Sequence, residues 1–145
     1  MALTANVGSN LQAKMGDIQA YTVGTGANIY RGALVAIRLT DGCAYQAVND
    51  VNDEYKQLIV GYALEAKTSG EVRVRRDVKL RLNFNGVISP VVVGRLACLY
   101  DDETVQLYDP TKCRVVVGRI SEVTGNQVYV DLRERPNRIA TGLYD

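Results

Sequence analysis

The sequence predicts an all-β fold: a compact sandwich or β-barrel-like domain made of two related β modules, preceded by an extended N-terminal arm. Three observations predict it. Apolar and polar residues alternate with the period of two that half-buried strands require. Glycine, asparagine and aspartate fall between the alternating runs, where hairpins turn. A glycine-centred pattern occurs twice along the chain.

The first 28 residues differ in kind from the rest. Residues 1–28 are rich in Ala, Gly, Thr, Asn and Gln, with apolar side chains scattered at Leu3, Val7, Leu11, Met15, Ile18, Tyr21 and Val23. Leu11, Met15 and Ile18 have helical spacing, but Gly8, Gly16, Gly24 and Gly26 oppose a stable helix. Too few apolar residues are present to build a core, so the segment reads as an arm that docks on a neighbour or stays mobile.

The body is expected over residues 29–135. Its clearest stretch is Val72 to Phe84, where Val72, Val74, Val78, Leu80, Leu82 and Phe84 alternate with Arg73, Arg75, Asp77, Lys79, Arg81 and Asn83. Arg76 breaks the register, so a bulge or bend at Arg76 and Asp77 splits the run into two strands. Val128, Val130 and Leu132 alternate in the same way. Val91–Val93 and Val115–Val117 are continuous β-branched runs, the signature of strands buried on both faces. Turns are expected at Asp41-Gly42, Ser69-Gly70, Asn85-Gly86, Asp101-Asp102-Glu103 and Gly125-Asn126. One short helix fits within Asn52–Leu58, with Asn52 or Asp53 as cap and Glu54 in the first turn. Pro136 cannot donate to a ladder, so residues 136–145 read as a C-terminal tail.

The repeat divides the body into halves of about 29–86 and 91–134. Arg31-Gly32-Ala33-Leu34-Val35-Ala36-Ile37 aligns with Val93-Gly94-Arg95-Leu96-Ala97-Cys98-Leu99. Ile59-Val60-Gly61-Tyr62 through Glu65 aligns with Val116-Val117-Gly118-Arg119 through Glu122, and each is followed by a Gly turn and an alternating strand. The paired glycines, 32 with 61 and 94 with 118, differ in spacing by an insertion around Asp50 to Gln57. A matched glycine in each strand marks a bulge or a close approach of two backbones.

Function is bounded mainly by what the chain lacks. It has no histidine, which removes the Ser-His-Asp and Cys-His systems, and a net charge of +1 gives no global field toward nucleic acid or membrane. Cys43, Cys98 and Cys113 show neither CxxC nor zinc-ligand spacing and read as free thiols. No apolar run reaches bilayer length and no leader pattern opens the chain, so a cytosolic product is expected. Gly24-Thr25-Gly26 lacks the later glycine and the Lys-Ser/Thr of a phosphate loop, and reads as a linker. The acidic turn Asp101–Glu103 is a solvated hairpin turn before it is a calcium site. No catalytic residue, metal or cofactor is expected. The basic stripe Arg73, Arg75, Lys79 and Arg81 is the best candidate binding face; without aromatics beside it, a wet face or a protein interface paired with acidic partners is favoured over single-stranded nucleic acid.

The two Gly-centred halves, with Arg31–Ala36, Thr40-Asp41-Gly42, Ile59–Ala66 and Gly70–Val74 repeated in Gly94–Ala97, Val117–Ile120 and Val128–Val130, resemble the capsid cement, or head decoration, proteins of tailed bacteriophages. The resemblance covers roughly Ile29 to Leu132. It implies compact β-barrel or β-tulip-like protomers that form a homotrimer on the outer surface of an icosahedral head, made in the host bacterial cytoplasm. The major capsid protein would be its partner, and no specific nucleic acid or membrane would be. Arms of that family reach across capsomer boundaries, which gives Leu3, Val7, Leu11, Met15, Ile18 and Tyr21 as expected partner contacts, joined by Arg73, Arg75 and Arg81 from the basic face of the body. The alternative from the residues alone is a small β-barrel binding module for nucleic acid or carbohydrate that uses the Arg73–Arg81 face.

Overall fold

Ten strands form two five-stranded sheets in the computed structural model, which describes residues 18–50, 54–113 and 115–133. The first module holds β1 (Ile18–Thr22), β2 (Leu34–Arg38), β3 (Ala44–Gln46), β4 (Gln57–Ala63) and β5 (Glu71–Arg76), in the spatial order β1-β5-β4-β2-β3. The second holds β6 (Lys79–Phe84), β7 (Leu96–Asp101), β8 (Thr104–Leu107), β9 (Val116–Thr124) and β10 (Gln127–Asp131). It closes into a ring, β6-β10-β9-β7-β8, through a short parallel pairing of Asn83 with Thr104 and Phe84 with Val105. In the first module, the same closure is a single parallel bridge from Val23 to Ala44.

The modules repeat one another strand for strand. Gly32 N donates to Ala63 O at 2.8 Å, and Gly94 N donates to Ile120 O at 2.8 Å. Ala63 N returns a bond to Ala33 O at 2.9 Å, as Ile120 N does to Arg95 O at 2.9 Å. The register irregularity falls between Val35 and Ala36 in one copy and between Ala97 and Cys98 in the other. Gly61 and Gly118 occupy matching places. A Cβ there would overlap the Arg75 carbonyl or the Asp131 carbonyl respectively, so both glycines are imposed by the close approach of two backbones.

Each module has its own interior. Val35, Ala44, Val60, Ala63, Val72 and Val74 fill the first, and their counterparts Ala97, Val105, Val117, Ile120, Val128 and Val130 fill the second. Leu34, Ala36 and Ile59 point from the opposite face of β2 and β4 into the second module's core, joined by Ala47. The Leu34 amide donates to Asp102 O at 2.7 Å across the same junction. The halves therefore form one body with a continuous apolar contact.

Several expectations need correction. The arm does not extend to Asn28: β1 pairs all five of its residues with β5, and Val23, Ala27 and Ile29 are buried. The outer edge of β5 needs a partner, and β1 supplies it. The repeat boundary lies at the Asp77 bend rather than between 86 and 91. There φ of +55° turns the chain out of the first sheet, and β6 becomes the counterpart of β1.

The short helix is absent over Glu54–Leu58. Asp50 accepts the Glu54 and Tyr55 amides at 3.0 and 2.8 Å, Lys56 has φ of +49°, and Gln57 and Leu58 already belong to β4. Asn52 and Asp53 lie outside the described residues. Val91–Val93 is not a buried strand either, because Pro90 lacks the amide a ladder needs and starts a single 3-10 turn, Pro90–Val92, that buries Val92 alone. Cys98 and Cys113 are not free thiols. They form a disulfide, with Cα atoms 6.4 Å apart, and Cys43 remains free.

Candidate partner-binding surfaces

The basic stripe is divided by the fold. Arg73 and Arg75 stand on β5 in the first sheet, Lys79 and Arg81 on β6 in the second, with the Asp77 bend between them. Arg73 is engaged within its own module: its amide and Nε donate to Glu65 Oε2 at 3.1 and 3.3 Å. Those bonds, the backbone one first, hold the Glu65 carboxyl below its ordinary range. Arg75 faces Ile18 in the β1–β5 register, while Arg81 faces Tyr129 on β10. Ile18 is exposed and Tyr21 is half-buried against the first core. Leu3, Val7, Leu11 and Met15 lie outside the described residues.

The acidic turn uses its own carboxylate, since Asp101 Oδ1 accepts the Glu103 amide at 3.0 Å. Among the described residues, no three acidic, Cys or His side chains converge as a metal site would require. Burial, followed by repulsion from Asp101 and Glu103, raises the Asp102 carboxyl above its ordinary value. The matching turn behaves oppositely. Asp41 accepts from the Tyr45 hydroxyl and the Cys43 amide, which lower its carboxyl. Arg38 lies 3.8 Å from the ring centres of both Tyr45 and Tyr55, so this end of the first module is a closed cation–π stack.

An open groove of mixed polarity lies at one end of the second module. It measures about 680 Å³ and is lined by Phe84, Val87, Val91 and Leu107 together with Arg95, Gln106, Tyr108, Asp109 and Lys112, among others. Val87 is 85% exposed, Val91 70% and Val93 44%. One wall is the segment Tyr108–Cys113, tied to β7 by the disulfide and turned by Asp109, whose Oδ1 takes the Thr111 hydroxyl at 2.7 Å and the Thr111 amide at 2.9 Å. Those two bonds, hydroxyl first, keep the Asp109 carboxyl below its usual range.

Sequence reasoning missed this groove because it assigned Val91–Val93 to a core strand. The signal that could have found it is the Ser89-Pro90 pair, which initiates a turn and leaves the valines on its outside. With the geometry set out, comparison with known proteins adds nothing further: no family model, curated protein or solved structure matches this chain.

Proposed function

We propose that this protein is a capsid decoration protein, a cement that binds the outer surface of an icosahedral phage head as a homotrimer and stabilises the expanded shell. The carrying observation is large apolar side chains displayed on a small closed body: Tyr30, Leu39, Val87, Val91 and Tyr100 are exposed while both interiors are filled. A rigid body with apolar rims fits a protein that works by contact. A ligand that prefers the expanded shell stabilises that state by its difference in affinity for the two forms. Three linked contacts per trimer raise the effective concentration of each, so weak contacts add up to slow dissociation.

The test is co-sedimentation of the full chain with expanded and unexpanded tailed-phage heads assembled from purified major capsid protein. Retention on expanded heads is expected, and equal or absent retention on both forms refutes the reading. The rival use of the Arg73–Arg81 face predicts salt-sensitive binding to oligonucleotide, abolished by Arg73→Ser, Arg75→Ser and Arg81→Ser together. Under the cement reading, this triple variant still binds heads.

A further inference from the structure

The two modules have matching mouths, and only the first is covered by a further stretch of chain; in the second, Val92 turns inward to fill the core while Val91 stays outside. Val23 and Phe84 hold equivalent places in the parallel bridges, and Gly32 and Gly94 hold equivalent places after them, so the linkers between them correspond. In the first module, Ile29 is fully buried and exchanges two main-chain bonds with Lys67, both 2.9 Å, while the Asn28 amide donates to Gln46 Oε1 at 3.0 Å. The cover is the β4–β5 connection, residues 64–70, a bent segment that meets Ile29 at Lys67. In the second module, β9 and β10 meet in the tight turn Gly125-Asn126, so no such strip exists. The linker's Val87 and Val91 stay exposed and border the groove, whose other wall is the end of β8 and the segment after it.

We infer that this groove is a socket for an extended segment of a second copy of the chain, residues 1–17. The first mouth shows the mode of closure: a passing segment that exchanges two main-chain bonds with the linker at one residue, Lys67. Residues 1–17 can offer the same main-chain groups, with Leu3, Val7, Leu11 and Met15 set among Ala, Gly, Ser, Thr and Asn. No charged side chain occurs from Met1 to Ala13, so docking beside Val87 and Val91 desolvates no side-chain charge of the segment. Seventeen residues reach about 55 Å when extended, enough to cross to a neighbouring body. The segment enters β1 in the first module and the socket belongs to the second. The contact is thus heterologous, and repeating it around a rotation axis closes a ring. This inference rests on the homotrimer of the proposed function and names what holds it together.

Sedimentation equilibrium of the full chain is expected to show self-association, weakened roughly tenfold or more by Val87→Asp with Val91→Asp. Both sites are exposed, so the variant keeps its fold, checked by its amide spectrum. A mixing experiment identifies the occupant: isotope-labelled wild-type chain is combined with unlabelled chain carrying a nitroxide at Ala2→Cys in a Cys43→Ser background. Selective broadening of the Val87, Ile88 and Val91 amides is expected. A monomer, an unweakened double variant, or broadening confined to other surfaces overturns the socket, as does broadening seen only when label and nitroxide share one chain. No head is present in these measurements, so their failure and a failure to bind heads are separate results.

Discussion

The first module seals its mouth with its own chain and the second leaves the equivalent mouth open, although one strand plan builds both. The difference lies in the connections. A seven-residue strip follows β4 in the first copy, where the second has a tight hairpin, and Ile29 is buried where its counterpart Val91 faces solvent. A duplicated β plan therefore conserves its interior while its loops divide the labour, one copy completing the body and the other presenting a surface.

The largest expected effect breaks this symmetry directly. Ile29→Ala should cost about 3 kcal/mol of unfolding free energy in urea melts, whereas Val91→Ala should stay within about 0.5 kcal/mol. Equal costs would mean that the second mouth is already covered. Next comes the disulfide, which has no first-module equivalent because Ala36 stands where Cys98 does. Replacing Cys98 and Cys113 by Ala should cost about 3 kcal/mol for a 15-residue loop, and thiol titration of the unreduced wild type should find Cys43 alone. Gly61→Ala and Gly118→Ala should each lose about 2 kcal/mol or more, and similar losses would sharpen the equivalence of the two backbone crossings.

The smallest effects come from the matching turns. Asp41 has a depressed carboxyl, so its contribution is present above the ordinary carboxylate pKa and fades as pH falls through the lowered value. Asp102 has a raised carboxyl, so the folded state favours its protonated form and stability falls as pH rises through that raised value. At pH 7, Asp41→Asn should lower the melting temperature slightly and Asp102→Asn should raise it, and both differences should shrink in strong acid. Same-sign shifts at neutral pH would show that the two turns are not electrostatic opposites.

The bend at Asp77, the turns and the paired glycines were legible because each is written in a few adjacent residues. Positive φ at Gly42, Gly70 and Gly125 follows from local turn chemistry, and the alternation of Val72, Val74 and Leu82 follows from the pleat. The socket was not legible. Val91–Val93 reads like a core strand until Pro90 is weighed, and whether a valine is covered depends on a loop far along the chain.

By itself, the sequence determined an all-β chain built twice on one plan, because side-chain period and turn preference are local properties. Only the tertiary structure decided that Ile18–Thr22 completes the first sheet, that Lys79–Phe84 opens the second, that Cys98 meets Cys113 and that one mouth stays open. Those outcomes depend on which distant backbones pair, and strand partners are chosen by register and edge closure across long loops rather than by any residue's own preference.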